Sequence, residues 1–404
     1  MQKTSKFWVN PAEAVFFISL ILFIIGTVNI FSASFVLASE AFDDRYFFIK
    51  RHFISFICGI IAMIICAKIN YRKINKFWQI FLISCTILFL AAVNFIGLEI
   101  NGAQRWLQIG GFQFQPSEFA KLVIIIVTSA YLGEKISMRK KISLLTWPFL
   151  AALAIGAFVL KQPDMGTAVI IIALSILLYL LAGIPFKEIF GLCSGTSVLF
   201  IYFIYKAAYR AERVLAWLDP WSYSQTSGYQ TVQSLLAIGS GGLTGLGLGF
   251  GTSKFHYLPE IHTDFAFANI CQEMGFIGAF AVIALFIIFA WYGFKIAFMS
   301  KDNFGTLLAI GLTSLIVCQA IGNIAIISGV LPVTGTPLPF ISFGGTSLIT
   351  NMAAVGILIS VCRNNDKKIA FDTDGEEYLP PEDPSKKRRL KRRHLKVVSE
   401  DTNQ

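Results

Sequence analysis

The chain is 404 residues long, 55% hydrophobic and only 14% charged, with a formal net charge of +10 and a mean hydropathy of +0.66. A soluble domain carries roughly 25% charged residues, so these numbers exclude an ordinary soluble enzyme. Seven cysteines with no Cys-x-x-Cys pair and four scattered histidines give no redox motif and no zinc site, so the thiols read as buried and inert and no protein metal ligands are expected.

Apolar runs of about 20 residues, each able to cross a bilayer as a helix, recur along the chain. Spans are predicted at 14–38, 53–67, 77–97, 119–133, 142–160, 167–183, 188–208, 265–294, 304–330 and 346–362. The first run, Ala14 to Ala38, is too long for the apolar region of a cleavable signal peptide. Ten spans put both termini on one side. One set of connections holds 13 basic residues in short segments (Lys3 and Lys6 through Lys301), the other nine spread over longer loops. The positive-inside rule then places the termini in the cytoplasm. The expected fold is an all-α polytopic membrane protein of ten transmembrane helices with large extracytoplasmic loops at 39–52, 98–118, 209–264 and 331–345.

Residues 1–362 form the expected membrane domain. Residues 363–404 are first acidic (Asp372, Asp374, Glu376, Glu377) and then basic (Lys386 to Arg393). Disorder is the default for such a cytoplasmic tail, and its basic run suits anionic lipid or a cytoplasmic partner.

The second outer loop carries Asn101-Gly102-Ala103-Gln104-Arg105-Trp106-Leu107 and then Gln115-Pro116-Ser117-Glu118-Phe119-Ala120-Lys121. Pro116 and Glu118 suit a helix N-terminus. Glu118 and Lys121 are three apart and share a helix face. An ammonium inside the hydrocarbon costs about 2.5–3.5 kcal/mol, so Lys121 should face the bundle interior. It reads either as half of a structural ion pair or as a cation lining a cavity for a diphosphate or carboxylate. Lys161-Gln162-Pro163-Asp164-Met165-Gly166-Thr167 is a tight outer turn in which Asp164 is a cap or a second functional carboxylate.

Seven glycines fall in the thirteen residues Gly239 to Gly251. The spacing is not a dinucleotide fingerprint, and no phosphate loop or nucleophile elbow occurs in the chain. The glycines read as close packing, or as backbone N–H groups free to bind phosphate oxygens. The last outer loop, Gly329 to Gly345, mixes three prolines and four glycines with apolar residues and Ser342. A re-entrant hairpin is expected, since irregular backbone at membrane depth survives only inside protein or beside a wet cavity.

The stretch that orders the rest is Leu258-Pro259-Glu260-Ile261-His262-Thr263-Asp264, just ahead of the apolar helix opening Phe265-Ala266-Phe267. Thr263 or Asp264 is the expected N-cap. Asp264 is then a carboxylate at the outer membrane surface, wet enough to ionise and close enough to lipid to meet a lipid-linked substrate.

Together these stretches resemble the SEDS family of bacteria (shape, elongation, division and sporulation), whose members include FtsW and RodA. The matching pieces are Gly102 to Trp106, Gln115 to Glu118, Gln162 to Thr167, Leu258 to Phe265, and Pro332 through Gly345, and the match runs from about Ala14 to Cys362. Ser234 to Gly242 and Lys254 to Glu260 look more like FtsW than RodA. The resemblance implies a ten-helix peptidoglycan glycosyltransferase polymerising lipid II, a disaccharide-pentapeptide on undecaprenyl diphosphate, in the bacterial inner membrane at the division septum. It implies a class B transpeptidase partner of FtsI type and other divisome proteins, with no nucleic acid.

The family's essential aspartate falls on Asp264, its first-outer-loop arginine on Arg51, and its Arg-Trp pair on Arg105 and Trp106. Glu118, Lys121, Asp164, His262 and Ser342 complete the substrate-binding candidates. Where relatives often read Glu-Glu-Leu-Gly, this chain has Gln272-Glu273-Met274-Gly275, which puts any role for an acid at 272 in doubt. A divalent cation, Mg or Mn, would be held mainly by the substrate diphosphate. The rival readings are a lipid II flippase, a RodA-like elongation polymerase, and a non-catalytic scaffold acting through the tail.

Overall fold

The computed structural model describes residues 10–100, 103–110, 112–185, 187–188, 190–191, 208–255 and 257–373. The chain divides into the units Met1–Cys362 and Arg363–Gln404. The polybasic run, most of the span expected at 188–208, Cys193 and His256 lie outside the described residues.

The helices are α1 (Pro11–Phe42), α2 (Phe47–Lys68), α3 (Lys76–Ile96), α4 (Pro116–Ser137), α5 (Trp147–Lys161), α6 (Met165–Leu181), α7 (Ala208–Leu218), α8 (Tyr229–Ser240), α9 (Ala266–Met299), α10 (Asn303–Ile327) and α11 (Gly345–Thr373). Their starts follow local chemistry. The Asn10, Asn75, Asp164 and Asp302 side chains accept a backbone N–H of the first turn of α1, α3, α6 and α10, which satisfies donors the helix itself leaves open. Pro116 opens α4 and Pro148 lies in the first turn of α5, where a missing N–H costs nothing.

Six helices are long and apolar enough to cross a membrane: α1, α2, α3, α9, α10 and the Gly345–Asn365 part of α11. The apolar helices α5 and α6 are shorter. The chain is thus an integral membrane protein. The all-α expectation needs one correction. The loop after α3 folds as a three-stranded antiparallel sheet, β1 (Leu98–Ile100), β2 (Ala103–Ile109) and β3 (Phe112–Phe114), in the order β1-β2-β3. Only the paired segments are short, three to seven residues, and Gly110 at φ 55° turns β2 into β3, so no long alternating pattern announces them.

A second correction concerns the span expected at 265–294. Gly275 breaks α9 with φ 64° and ψ −164°. Before the break, Asn29 of α1 donates to Ala266 O and accepts from Asn269, while Ser32 donates to Glu273 Oε1; this half runs parallel to α1. After the break, Phe289 lies 6.3 Å from the Phe340 ring. Phe340 O in turn stands 2.7 Å from where a Cβ on Gly26 would be. The chain therefore climbs from Asp264 to Gly275 and then runs back down.

The break strands backbone groups, and the glycine-rich segment after α8 satisfies them. Leu246 and Gly247 donate their N–H groups to Gln272 O and Glu273 O, each at 3.0 Å, and Phe276 and Ile277 donate to Gly242 O and Leu243 O at 2.9 and 3.2 Å. At Gly241 and Gly245 the close-packing reading is realised, since a Cβ there would collide with the carbonyl oxygens of Cys271 and Glu273, and the Gly247 N–H is bonded to Glu273 O. Gln272 joins in: its Oε1 accepts from Ser253 N, and its Nε2 donates to Ser240 Oγ and Thr252 Oγ1. Lys254 Nζ lies 3.5 Å from Glu273 Oε1, with both side chains buried.

Candidate active site

The segment ahead of α9 closes on Glu260, whose φ of 57° is left-handed. Glu260 O accepts the N–H groups of Thr263 and Phe265 at 3.1 and 3.2 Å. Thr263 Oγ1 donates to Glu260 Oε2 at 2.7 Å. Helix α9 then starts at Ala266 with Phe265 as its N-cap and no side-chain cap. This corrects the expectation that Thr263 or Asp264 caps the helix. The turn has consumed Thr263, and no described donor bonds the Asp264 carboxylate, so it is left for other work.

Asp264 is half-buried and sits in a recess rather than at the rim. Its carbonyl accepts from Asn323 Nδ2 at 2.7 Å, and Asn323 is one turn short of the end of α10. Burial pushes the Asp264 carboxyl up to about 7; the Glu260 charge adds to the rise, the Arg105 guanidinium opposes it, and Asp164 contributes a smaller increase. Glycine at 335, with φ 72°, leaves the recess open: a Cβ there would lie 3.2 Å from Asp264 Oδ2 and 3.8 Å from Arg105 Nη1.

Arg105 stands on β2. Its Nε donates to Gln162 O at 3.1 Å and its Nη2 donates to Pro163 O, so two carbonyls of the turn before α6 aim the guanidinium. Asp164 caps α6 through Thr167 N at 3.1 Å, and its Oδ2 accepts from Gln115 Nε2 at 3.3 Å and Ser117 Oγ at 3.5 Å. A Cβ on Gly166 would meet Thr336 and Thr334. The residues 115–118, 162–167, 264 and 334–336, far apart in sequence, thus meet around one recess.

Glu118 and Lys121 form an ion pair of 2.7 Å, with side chains 3% and 2% exposed. The Glu118 Oε2 atom is buried with no partner among the described residues. His262 is buried against the rings of Phe48 and Phe343 at 4.6 and 5.9 Å; burial lowers its pKa and Glu260 opposes.

Three candidates stand elsewhere or are otherwise engaged. Arg51 lies within α2, not in a loop, exposed, with its guanidinium 4.4 Å from the Phe47 ring centroid. Trp106 neighbours Arg105 on β2 and pairs with Leu98, so strand alternation turns it to the opposite face of the sheet. Ser342 Oγ accepts from Leu338 N at 2.9 Å, closing its own loop. Asn323 was not among the sequence candidates, although a polar side chain in an apolar span is a signal that finds it. Among the described residues no three His, Cys, Asp or Glu side chains cluster as a metal cage.

The family model FTSW_RODA_SPOVE, described as "Cell cycle protein", matches residues 12–367. Stage V sporulation protein E of Bacillus subtilis is 38% identical over 364 residues, covering 88% of this chain and 97% of that protein. A probable peptidoglycan glycosyltransferase FtsW of Geobacter metallireducens is 39% identical over 338 residues, covering 83% and 90%. Among solved structures, RodA of Thermus thermophilus superposes with a TM-score of 0.62 at 26% identity, covering 87% of this chain and 96% of that one. A chain from a peptidoglycan synthase complex superposes with a TM-score of 0.72 at 24% identity, covering 89% and 99%, and bears on the fold. With its match running through nearly the whole membrane unit, the chain belongs to the FtsW/RodA/SpoVE family of cell cycle proteins.

Proposed function

We propose that this protein is a peptidoglycan glycosyltransferase that polymerises lipid II into glycan strands with inversion at the anomeric carbon. The observation that carries the reading is Asp264: a carboxylate in an open recess, beside a guanidinium, with its pKa pushed up to about 7. A base works best when its pKa lies near the working pH. Relatives over most of the chain bear the name peptidoglycan glycosyltransferase.

In the reaction, an acceptor sugar hydroxyl attacks the anomeric carbon of a lipid-linked donor. The new bond forms from the hydroxyl oxygen, the bond to the diphosphate oxygen breaks, and undecaprenyl diphosphate leaves with the electron pair. Asp264 takes the hydroxyl proton. Leaving-group protonation is needed less than in glycosidases, because a diphosphate leaves readily once its charge is neutralised. Arg105 supplies charge-assisted hydrogen bonds for that purpose, and Lys121, already tied to Glu118, adds positive potential from α4. A divalent cation, Mg or Mn, fits only as a passenger on the diphosphate oxygens, whose charge it would offset. General-base action accounts for about 10²–10⁴-fold of the rate.

The finer picture has ten spans, both termini in the cytoplasm, and the recess facing outward. The excess of basic residues in the short connections supports that orientation. Action beside a class B transpeptidase at the division septum is in keeping with the FtsW relatives and with the synthase complex named for polymerization and crosslinking. Purified protein given lipid II in detergent separates the readings. Glycan strands on a gel support the polymerase; lipid movement in liposomes without strands would support a flippase.

A further inference from the structure

The side chain of Asn323 has two N–H bonds, and both are used on the walls of the recess. Nδ2 donates to Asp264 O and to Thr336 O, each at 2.7 Å. The two acceptors belong to the turn ahead of α9 and the proline-rich loop that carries Gly335, segments that are also joined further along where Phe343 N donates to His262 O at 2.9 Å; Asn323 is the tether at Asp264 itself. Asn323 itself is fixed in α10 and 1% exposed. Because both contacts are to carbonyl oxygens, the amide cannot be flipped, and its Oδ1 remains buried without a partner among the described residues. A buried amide held with its acceptor unsatisfied costs stability, so the arrangement is poorly explained as packing alone.

We infer that Asn323 is a positioning residue, which sets the gap between the Asp264 carboxylate and the Gly335 loop and thereby holds the base against the acceptor hydroxyl. This rests on the glycosyltransferase reading above. Misplacement by about 1 Å can cost on the order of 100-fold in rate. The charged groups that face Asp264 are Glu260 in its own turn, Arg105 on β2 and Asp164 at the start of α6. None of them is on α10, so removing the amide leaves all three in place.

The test is lipid II polymerisation by the full-length protein carrying Asn323→Ala or the near-isosteric Asn323→Asp, with kcat and KM separated and thermal unfolding followed in parallel. The expected result is a fall in kcat of about 30-fold or more with KM within about threefold in both variants. In Asn323→Asp the acid limb of the rate profile should also move to higher pH, because a new carboxylate stands beside Asp264. If Asn323→Ala does not accumulate, Asn323→Asp carries the test alone. Wild-type kcat in a folded variant would overturn the inference, as would a loss confined to KM. Failure of the wild-type protein to make glycan under the same conditions would instead sink the polymerase reading itself.

Discussion

Gly335 faces Asp264 across a narrow gap: a Cβ at 335 would stand 3.2 Å from Asp264 Oδ2, so the carboxylate would have to give by a few tenths of an ångström. The same atom would lie 3.8 Å from Arg105 Nη1, so a substituent there would intrude between the base and the cation. The backbone at 335 is also left-handed, φ 72°, which costs an L-residue roughly 1–2 kcal/mol. Gly335→Val should cut polymerisation at least tenfold while leaving the protein in the membrane at near wild-type level. Equal rates for the two proteins, normalised to membrane content, would show that the gap is not used.

The Glu118–Lys121 pair makes a stability prediction. Removing one partner of a buried ion pair costs about 3–5 kcal/mol, whereas replacing both is often near neutral. Lys121→Met should therefore lower the unfolding midpoint in detergent sharply, and Glu118→Gln with Lys121→Met should recover most of the loss. If the double variant recovers stability but not glycan synthesis, Lys121 contributes charge to the reaction as well as structure.

Gly275 and Gly183 separate backbone strain from collision. Both have positive φ, 64° and 87°. A Cβ at 275 would lie 2.3 Å from Gly245 N, whereas one at 183 meets nothing within 4 Å. Gly183→Ala should cost only the conformational strain, about 1–2 kcal/mol. Gly275→Ala has no room and should abolish folded protein, read as loss of the monodisperse peak on size exclusion in detergent.

The raised pKa of Asp264 sets a pH window. As a base, the carboxylate works only when ionised, so the rate should rise through about pH 7. Stability has the opposite sign. Between the ordinary value of 3.8 and about 7 the folded state holds the proton and the unfolded chain does not, so this group's contribution falls as pH rises across that window. Asp264→Asn should then unfold at a higher temperature than wild type at pH 8, with little difference at pH 4. A lower midpoint for Asp264→Asn at pH 8 would mean the carboxylate is paired rather than stranded.

Much of this was legible in the residues. Hydrophobic runs locate α1, α2, α3, α10 and α11 because burial in lipid leaves a long apolar signature. Pro116 and Asp164 announce helix starts by local chemistry alone. The sequence motifs around 105, 118, 164 and 264 point to the recess. The sheet at 98–114 was hidden because its strands are short, and its register depends on a bulge between Leu98 and Glu99. The reversal at Gly275 was hidden because an apolar run reads the same whether it crosses once or climbs and returns. Only Gly242, Leu243, Leu246 and Gly247, brought from another part of the chain, make the break affordable. Arg51 and Ser342 show what a matching position in sequence leaves out: the Arg51 guanidinium lies over the Phe47 ring and Ser342 Oγ accepts from Leu338 N within its own loop.

The most direct measurement is lipid II polymerisation in detergent by wild-type protein and Asp264→Asn, followed across pH 5 to 9 with both folded by thermal melt. The account predicts glycan strands from wild type at a rate that rises through about pH 7, and a loss of about 10²–10⁴-fold with Asn at 264. Strands of wild-type length and rate from folded Asp264→Asn would contradict it.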